Sequence, residues 1–258
     1  MRLMKRILSA AAVLALSASL LVGCSSGTAS SVPVSASSAA ESTVSSVEET
    51  ASSAVDENEA AAAQLLNDLT GSYQELWPVI LADEYKQTWL DDCTALVGED
   101  NAEAAFEKLS SMVTGDVYGE DAVKAYANGG GAYFCGFTNS LATLTFDGET
   151  STISGTDKDG NVLFSHTYHY IGMEPVHGLY EFESDDADSG EFTYFFLAPD
   201  TSAETYHIEF RYGSDAEALS QYDADEYAYW VASGISTDCD QTMIDNCIEL
   251  FCTENLAG

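Results

Sequence analysis

Apolar residues recur at helical spacing in the stretch "DENEAAAAQLLNDL" (56–69), which ends at Thr70-Gly71. "GSYQELWPVILADEYKQTWLDDCTALV" (71–97) predicts a short extended piece up to Trp77, a break at Pro78, and then helical turns. "NAEAAFEKLSSMV" (101–113) predicts a capped amphipathic helix after Asp100 with Ala105, Leu109 and Met112 on one side, and "GEDAVKAYANGGG" (119–131) a shorter helix closed by glycines. From Ala132 the period changes from helical to alternating. The segments "AYFCGFT", "LATLTFD", "TSTISG", "NVLFSHTYHY", "GLYEFES", "EFTYFFLA" and "ETYHIEFR" predict strands, separated by the turn sequences "DGET", "DKDGN", "DDADSG" and "PDTSA". This rhythm predicts an antiparallel barrel or sandwich. "STDCDQTMIDNCIELFC" (236–252) then places Ile244, Cys247, Ile248, Phe251 and Cys252 on one helical face. The fold class is therefore α+β: an antiparallel β-barrel with N-terminal helices and a closing C-terminal helix.

The first residues lie outside this pattern. "MRLMKRILSAAAVLALSASLLVGC" carries three positive charges and then a small, apolar run ending in "LVGC". That is the layout of a bacterial lipoprotein signal, too short for a permanent membrane span. Residues 1–23 are read as the signal peptide and Cys24 as the lipidated first residue of the mature chain. The Ser/Ala-rich stretch 24–56 has no aromatic residue and no apolar period, and is read as a flexible tether. Residues 57–258 make one domain. The expected location is outside the cytoplasm, attached to the membrane through the lipid anchor only.

Charge narrows the partners. With Arg2, Lys5 and Arg6 removed with the signal, five basic residues stand against 43 acids, a net charge of −38. A nucleic-acid partner needs clustered Lys and Arg and is excluded. The acids are spread along the whole chain, which serves solubility and concentrates cations around the domain. The sequence has no GxSxG, HExxH or Gly-rich phosphate loop, and the chain is read as not an enzyme. The acidic turns "DADSGE" and "DKDGN" lack the distant Glu of an EF-hand loop and read as hairpin turns. Cys93, Cys135, Cys239, Cys247 and Cys252 form no CxxC pair; their odd number leaves at least one thiol free, and no pairing follows from the sequence.

Three stretches in order resemble the ZinT (YodA) family of zinc-binding proteins: "LTGSYQELWPVI" (69–80), "HGLYEFESDDADSGEFTYFF" (177–196) and "TYHIEFRYGSDAEALSQYD" (205–223). The resemblance implies a lipocalin- or calycin-like barrel over about residues 65–254. It further implies a bound zinc ion or similar divalent metal, and a part in metal uptake or homeostasis beside an import transporter system. The family's site is three histidines, and of these only one matches, at His207. Thr205 stands where the first member of a His-x-His pair would be, and Asp200 stands near the place of the separate histidine.

An altered mixed site follows as the expectation: His207, Glu209 and Asp200, with His177 as a further donor from a barrel rim. His166 and His169 are three apart in "SHTYHY" and point to opposite faces of a regular strand. Period-two alternation sets Thr205, His207, Glu209 and Arg211 on one face of "ETYHIEFR" and Tyr206, Ile208 and Phe210 on the other. By itself that pattern turns the first set toward water, with Arg211 as an ion-pair partner for Glu209. The resemblance turns it toward a metal cavity. The alternative function is a lipocalin-like small-molecule-binding protein without metal, in which the aromatic residues of "AYFCGF" and "EFTYFF" line an apolar cavity.

Overall fold

The computed structural model describes residues 57–115, 117–129, 133–199 and 207–257. The signal peptide, the tether with Cys24, and Asp200 and Thr205 lie outside the described residues. Eight strands close into one antiparallel barrel in which every strand pairs with its sequence neighbours and the last returns to the first. They are β1 (Gly71–Glu75), β2 (Thr143–Asp147), β3 (Thr152–Thr156), β4 (Val162–Met173), β5 (Tyr180–Ser184), β6 (Tyr194–Leu197), β7 (His207–Gly213) and β8 (Ala232–Ser236). Closure leaves no free sheet edge.

Helix α1 (57–68) precedes β1. Between β1 and β2 the chain inserts α2 (Leu76–Ile80), α3 (Lys86–Val97), α4 (Glu99–Val113) and α5 (Glu120–Ala127). A single turn, α6 (Ala216–Leu219), follows β7, and α7 (Gln241–Leu256) closes the domain. Asp215 caps α6 by accepting from the amides of Glu217 and Ala218, and Asp240 caps α7 through Met243 N–H at 3.0 Å. Pro78 falls in the first turn of α2, where a missing N–H costs no helical hydrogen bond, so the expected break is a helix start.

Two cores result. Inside the barrel, Tyr73, Leu144, Phe146, Ile153, Phe164, Tyr168, Phe182, Phe195, Phe210 and Tyr212 come from all the strands except β8, which adds Ala232. Their rings pack edge-to-face or stacked, as with Tyr168 and Phe195 at 5.4 Å and Phe195 and Tyr212 at 5.4 Å. The second core lies between β8 and the helices, where Ile235 meets Trp77, Trp89, Leu109, Ile248 and Phe251. The apolar face expected for the last helix is the one buried: Ile244, Cys247, Ile248, Phe251 and Cys252.

Helix α1 is seated by Gly148 in the β2–β3 turn. A Cβ there would run into the backbone N and Cα of Asn67, and Gly148 N–H also donates to Thr70 Oγ1 at 3.0 Å. Gly148→Ala is expected to push α1 off the barrel and lower stability by about 1–3 kcal/mol. Chemical denaturation of the variant beside the parent checks this.

Two sequence expectations change. "AYFCGFT" is not a ladder strand: Phe134 makes isolated bridges to Thr114 and Trp230. It lies alongside β8, where Ser233 N–H donates to Cys135 O at 3.0 Å, and is then diverted when Glu75 accepts the amide of Phe137 at 2.6 Å. The place beside β8 is partly taken by β1 already, so no full ladder can form. Conversely, β8 was not foreseen from "VASGIS", because its glycine and small residues give no alternation. Gly234 is needed there, since a side chain would press on Ile208, Phe137 and Tyr73. Among the described residues, no helix is long and apolar enough to cross a membrane.

Candidate functional site

Strand β7 has the alternation expected of it, but its second face is not an open one: His207 and Glu209 are half-buried and Arg211 is fully buried. Ile208, Phe210 and Tyr212 point into the barrel core. His207, Glu209 and Arg211 point outward, where other parts of the chain cover them. His207 pairs across the ladder with Ile235, whose side chain belongs to the helical core. Glu209 pairs with Ser233, and beyond Ser233 lies Cys135. The solvent-facing reading is thereby corrected for Arg211, while His207 and Glu209 are half-buried. Segments 133–136 and 214–231 lie over this face, and local alternation carries no signal of the chain folding back or of a remote segment's arrival.

Arg211 is the clearest departure: it is fully buried. Its guanidinium does not pair with Glu209 but donates to the carbonyls of Leu219, Gln221 and Tyr227, all in the covering segment. The guanidinium carbon lies 4.2 Å from the ring centroid of Tyr222, and the other face of this cluster is His177, 3.7 Å from Tyr222. Burial lowers the Arg211 pKa, and the charged form is supported by Tyr222 and Glu174.

Glu174 lies beneath the same cluster with no exposed surface. Its carboxylate accepts the amides of Val176 at 2.9 Å and His177 at 2.5 Å, and sits 3.4 Å from His177 Nδ1. Burial by itself would raise this carboxyl's pKa. The hydrogen bonds and charge of His177, with the amide of Val176, outweigh burial and bring it below the ordinary value. Sequence reading missed Glu174, Tyr222 and buried Arg211, because Glu and Arg are ordinarily surface residues. The available hint was "EPVHG" (174–178), a tight turn with a carboxylate three residues before a histidine.

His207 stands apart from that cluster in its electrostatics. Burial lowers its pKa to about 4, so the ring is neutral at pH 7. Cys135, in the row with Ser233 and Glu209, is buried. Burial first, and Glu209 second, push its thiol pKa up, so it stays protonated. The face thus offers a neutral imidazole and a carboxylate two residues apart, both of which are metal-ligand types.

Among the described residues no three His, Cys, Asp or Glu side chains are grouped to hold an ion. Of the expected donors, His207 and Glu209 share a face, His177 is engaged by Glu174 and Tyr222, and Asp200 lies outside the described residues. The other two histidines are used elsewhere. They do point to opposite faces of β4: His166 Nδ1 is 2.7 Å from Asp186 and His169 Nδ1 is 2.8 Å from Asp185. The acidic turns behave as turns. Asp157 accepts the amides of Asp159 and Asn161 at 2.9 Å each, and the Asn161 side chain at 2.9 Å, which lowers its pKa.

A cavity of about 390 Å³ lies where the barrel meets the helices, lined by Glu75, Trp77, Pro78, Leu81, Phe134 and Gly136 among others. Of the aromatic residues expected to line a pocket, Phe134 does so. Phe195 of "EFTYFF" is spent on packing the barrel instead.

No protein-family model matches the chain, and no curated protein matches it in sequence. Among solved structures, the chain is similar to the Zn(II)-bound ZinT-like domain of Streptococcus pneumoniae AdcA, at 15% identity and a TM-score of 0.45 over 71% of this chain and 89% of that one. It is also similar to Zn(II)-bound AdcA from Streptococcus pneumoniae, at 14% identity and a TM-score of 0.43 over 72% of this chain. There the match spans 35% of the AdcA chain.

Proposed function

We propose that this chain binds a divalent metal ion, zinc first, through His207 and Glu209, with Asp200 as the next donor. The observation that carries this reading is the covered outer face of β7. A half-buried histidine and a half-buried glutamate stand two residues apart there, with the imidazole held in the neutral form that a metal needs. A zinc ion takes four ligands, so two donors from one strand call for others, of which the sequence offers Asp200. Zinc bound there would be cargo or a structural ion, with no covalent chemistry required of the protein. The strong negative charge favours cation capture. The lipoprotein signal supports a mature chain held outside the cytoplasm by lipid on Cys24, passing metal to an import transporter.

Calorimetric titration of the purified chain with zinc tests this. His207→Ala and Glu209→Gln are each expected to weaken binding tenfold or more, about 1.4 kcal/mol each. Absence of zinc binding, or binding indifferent to both changes, would sink the reading. The cavity beside Trp77 supports a second reading, capture of a small apolar molecule. Its signature would be quenching of indole fluorescence by such ligands in a chain that ignores zinc.

A further inference from the structure

Helices α3 and α7 meet in the second core through a pair of thiols. Cys93 Sγ lies 3.9 Å from Cys252 Sγ, and neither residue has exposed surface. Around them Trp89 and Phe251 pack edge-to-face with centroids 5.9 Å apart. All five described cysteines are free, and Cys135 sits apart from this pair, in the row with Ser233 and Glu209.

A disulfide needs sulfurs about 2.05 Å apart, so the two atoms must close by roughly 2 Å when the bond forms. The contact joins residues 159 apart in sequence, across nearly the whole domain. We propose that Cys93 and Cys252 are a disulfide cross-link of the mature chain, formed when it folds in an oxidising compartment and tying α3 to α7. The oxidant is a small-molecule or protein disulfide. One cysteine thiolate attacks it to give a mixed disulfide, and the second thiolate displaces the leaving thiolate. The two cysteines thus lose two protons and two electrons, and the oxidant's S–S bond becomes two thiols. The bond forms as the two helices come together, before the second core closes over the thiols. In the finished fold burial raises the pKa of both thiols and closes them to reagents, which also shields the cross-link from reductant once made.

The full chain refolded in a glutathione redox buffer, alkylated under denaturing conditions and digested without reduction, gives the test by mass spectrometry. A peptide joining Cys93 to Cys252 is expected, with the oxidised chain melting roughly 5–15 °C above the dithiothreitol-treated one. In the Cys93→Ala/Cys252→Ala double variant the melting temperature should no longer respond to dithiothreitol. A cross-link between any other cysteines, alkylation of every cysteine in the refolded parent, or a parent melting temperature indifferent to reduction overturns the proposal. The parent comparison stands even if the variant does not fold.

Discussion

Replacing Arg211 by Met lowers the unfolding free energy by about 3–5 kcal/mol, the largest effect expected of any single polar side chain here. The guanidinium is fully buried and is the donor for three main-chain carbonyls, those of Leu219, Gln221 and Tyr227. Methionine fills much of the volume but donates nothing, so the carbonyls are left dry and unpaired. The contact with the Tyr222 face is lost as well. Glu174 meanwhile keeps its charge in a closed site with one cation fewer nearby. Arg211→Lys should recover less than half of the loss, because an ammonium cannot span three acceptors with a planar fork. Urea denaturation measures the cost. Hydrogen exchange should locate it, with amides of residues 214–231 losing protection before those of the barrel. A loss under about 1 kcal/mol would mean that the covering segment holds itself in place without Arg211.

Acid should expose His207 in the same quantitative way. Its folded pKa of about 4 lies below the ordinary 6.5, so the folded state binds this proton more weakly than the unfolded chain does. Stability from this group is fully present above about pH 6.5 and is lost as pH falls from there toward 4. The shift amounts to about 2–3 kcal/mol by pH 4. His207→Gln, which cannot take up the proton, should remove that part of the pH dependence. The stability of the parent relative to the variant should fall by about 2–3 kcal/mol between pH 7 and pH 4, measured in chelator to keep metal out. Glu174 also loses stabilisation in acid, but it does so equally in both proteins and cancels in the comparison. Parallel pH profiles would show that water reaches the His207 ring freely in the folded state.

Which features were legible in the sequence follows from how local their causes are. The amphipathic helices, seven of the eight strands (β1 within the extended piece that ends at Trp77) and the acidic turns are written in spacings of two to four residues. They appear where "LATLTFD", "TSTISG", "NVLFSHTYHY", "GLYEFES", "EFTYFFLA" and "ETYHIEFR" placed the strands, with shifted ends. The turn around Asp157 closes on its own residues and could be read without knowing the fold. Strand β8 could not be read this way, because Gly234 is chosen by Ile208, Phe137 and Tyr73 from three other parts of the chain. The same holds for "AYFCGFT", whose alternation is strand-like but whose place beside β8 is shared with β1.

The candidate site divides along the same line. Alternation in "ETYHIEFR" determined that His207, Glu209 and Arg211 share a face opposite Ile208 and Phe210, because side chains in an extended chain must point to alternate sides. It could not determine what that face meets. Tertiary structure decided that: the chain leaving β7 folds back over the face, and segment 133–136 reaches it from far along the sequence, which turns Arg211 from an exposed partner of Glu209 into the buried donor that holds the cover down. The same distant packing gathered Glu174, His177 and Tyr222 around it. Spacing along the chain thus set which side chains stand together, and closure of the barrel under its loops set which of them water can reach.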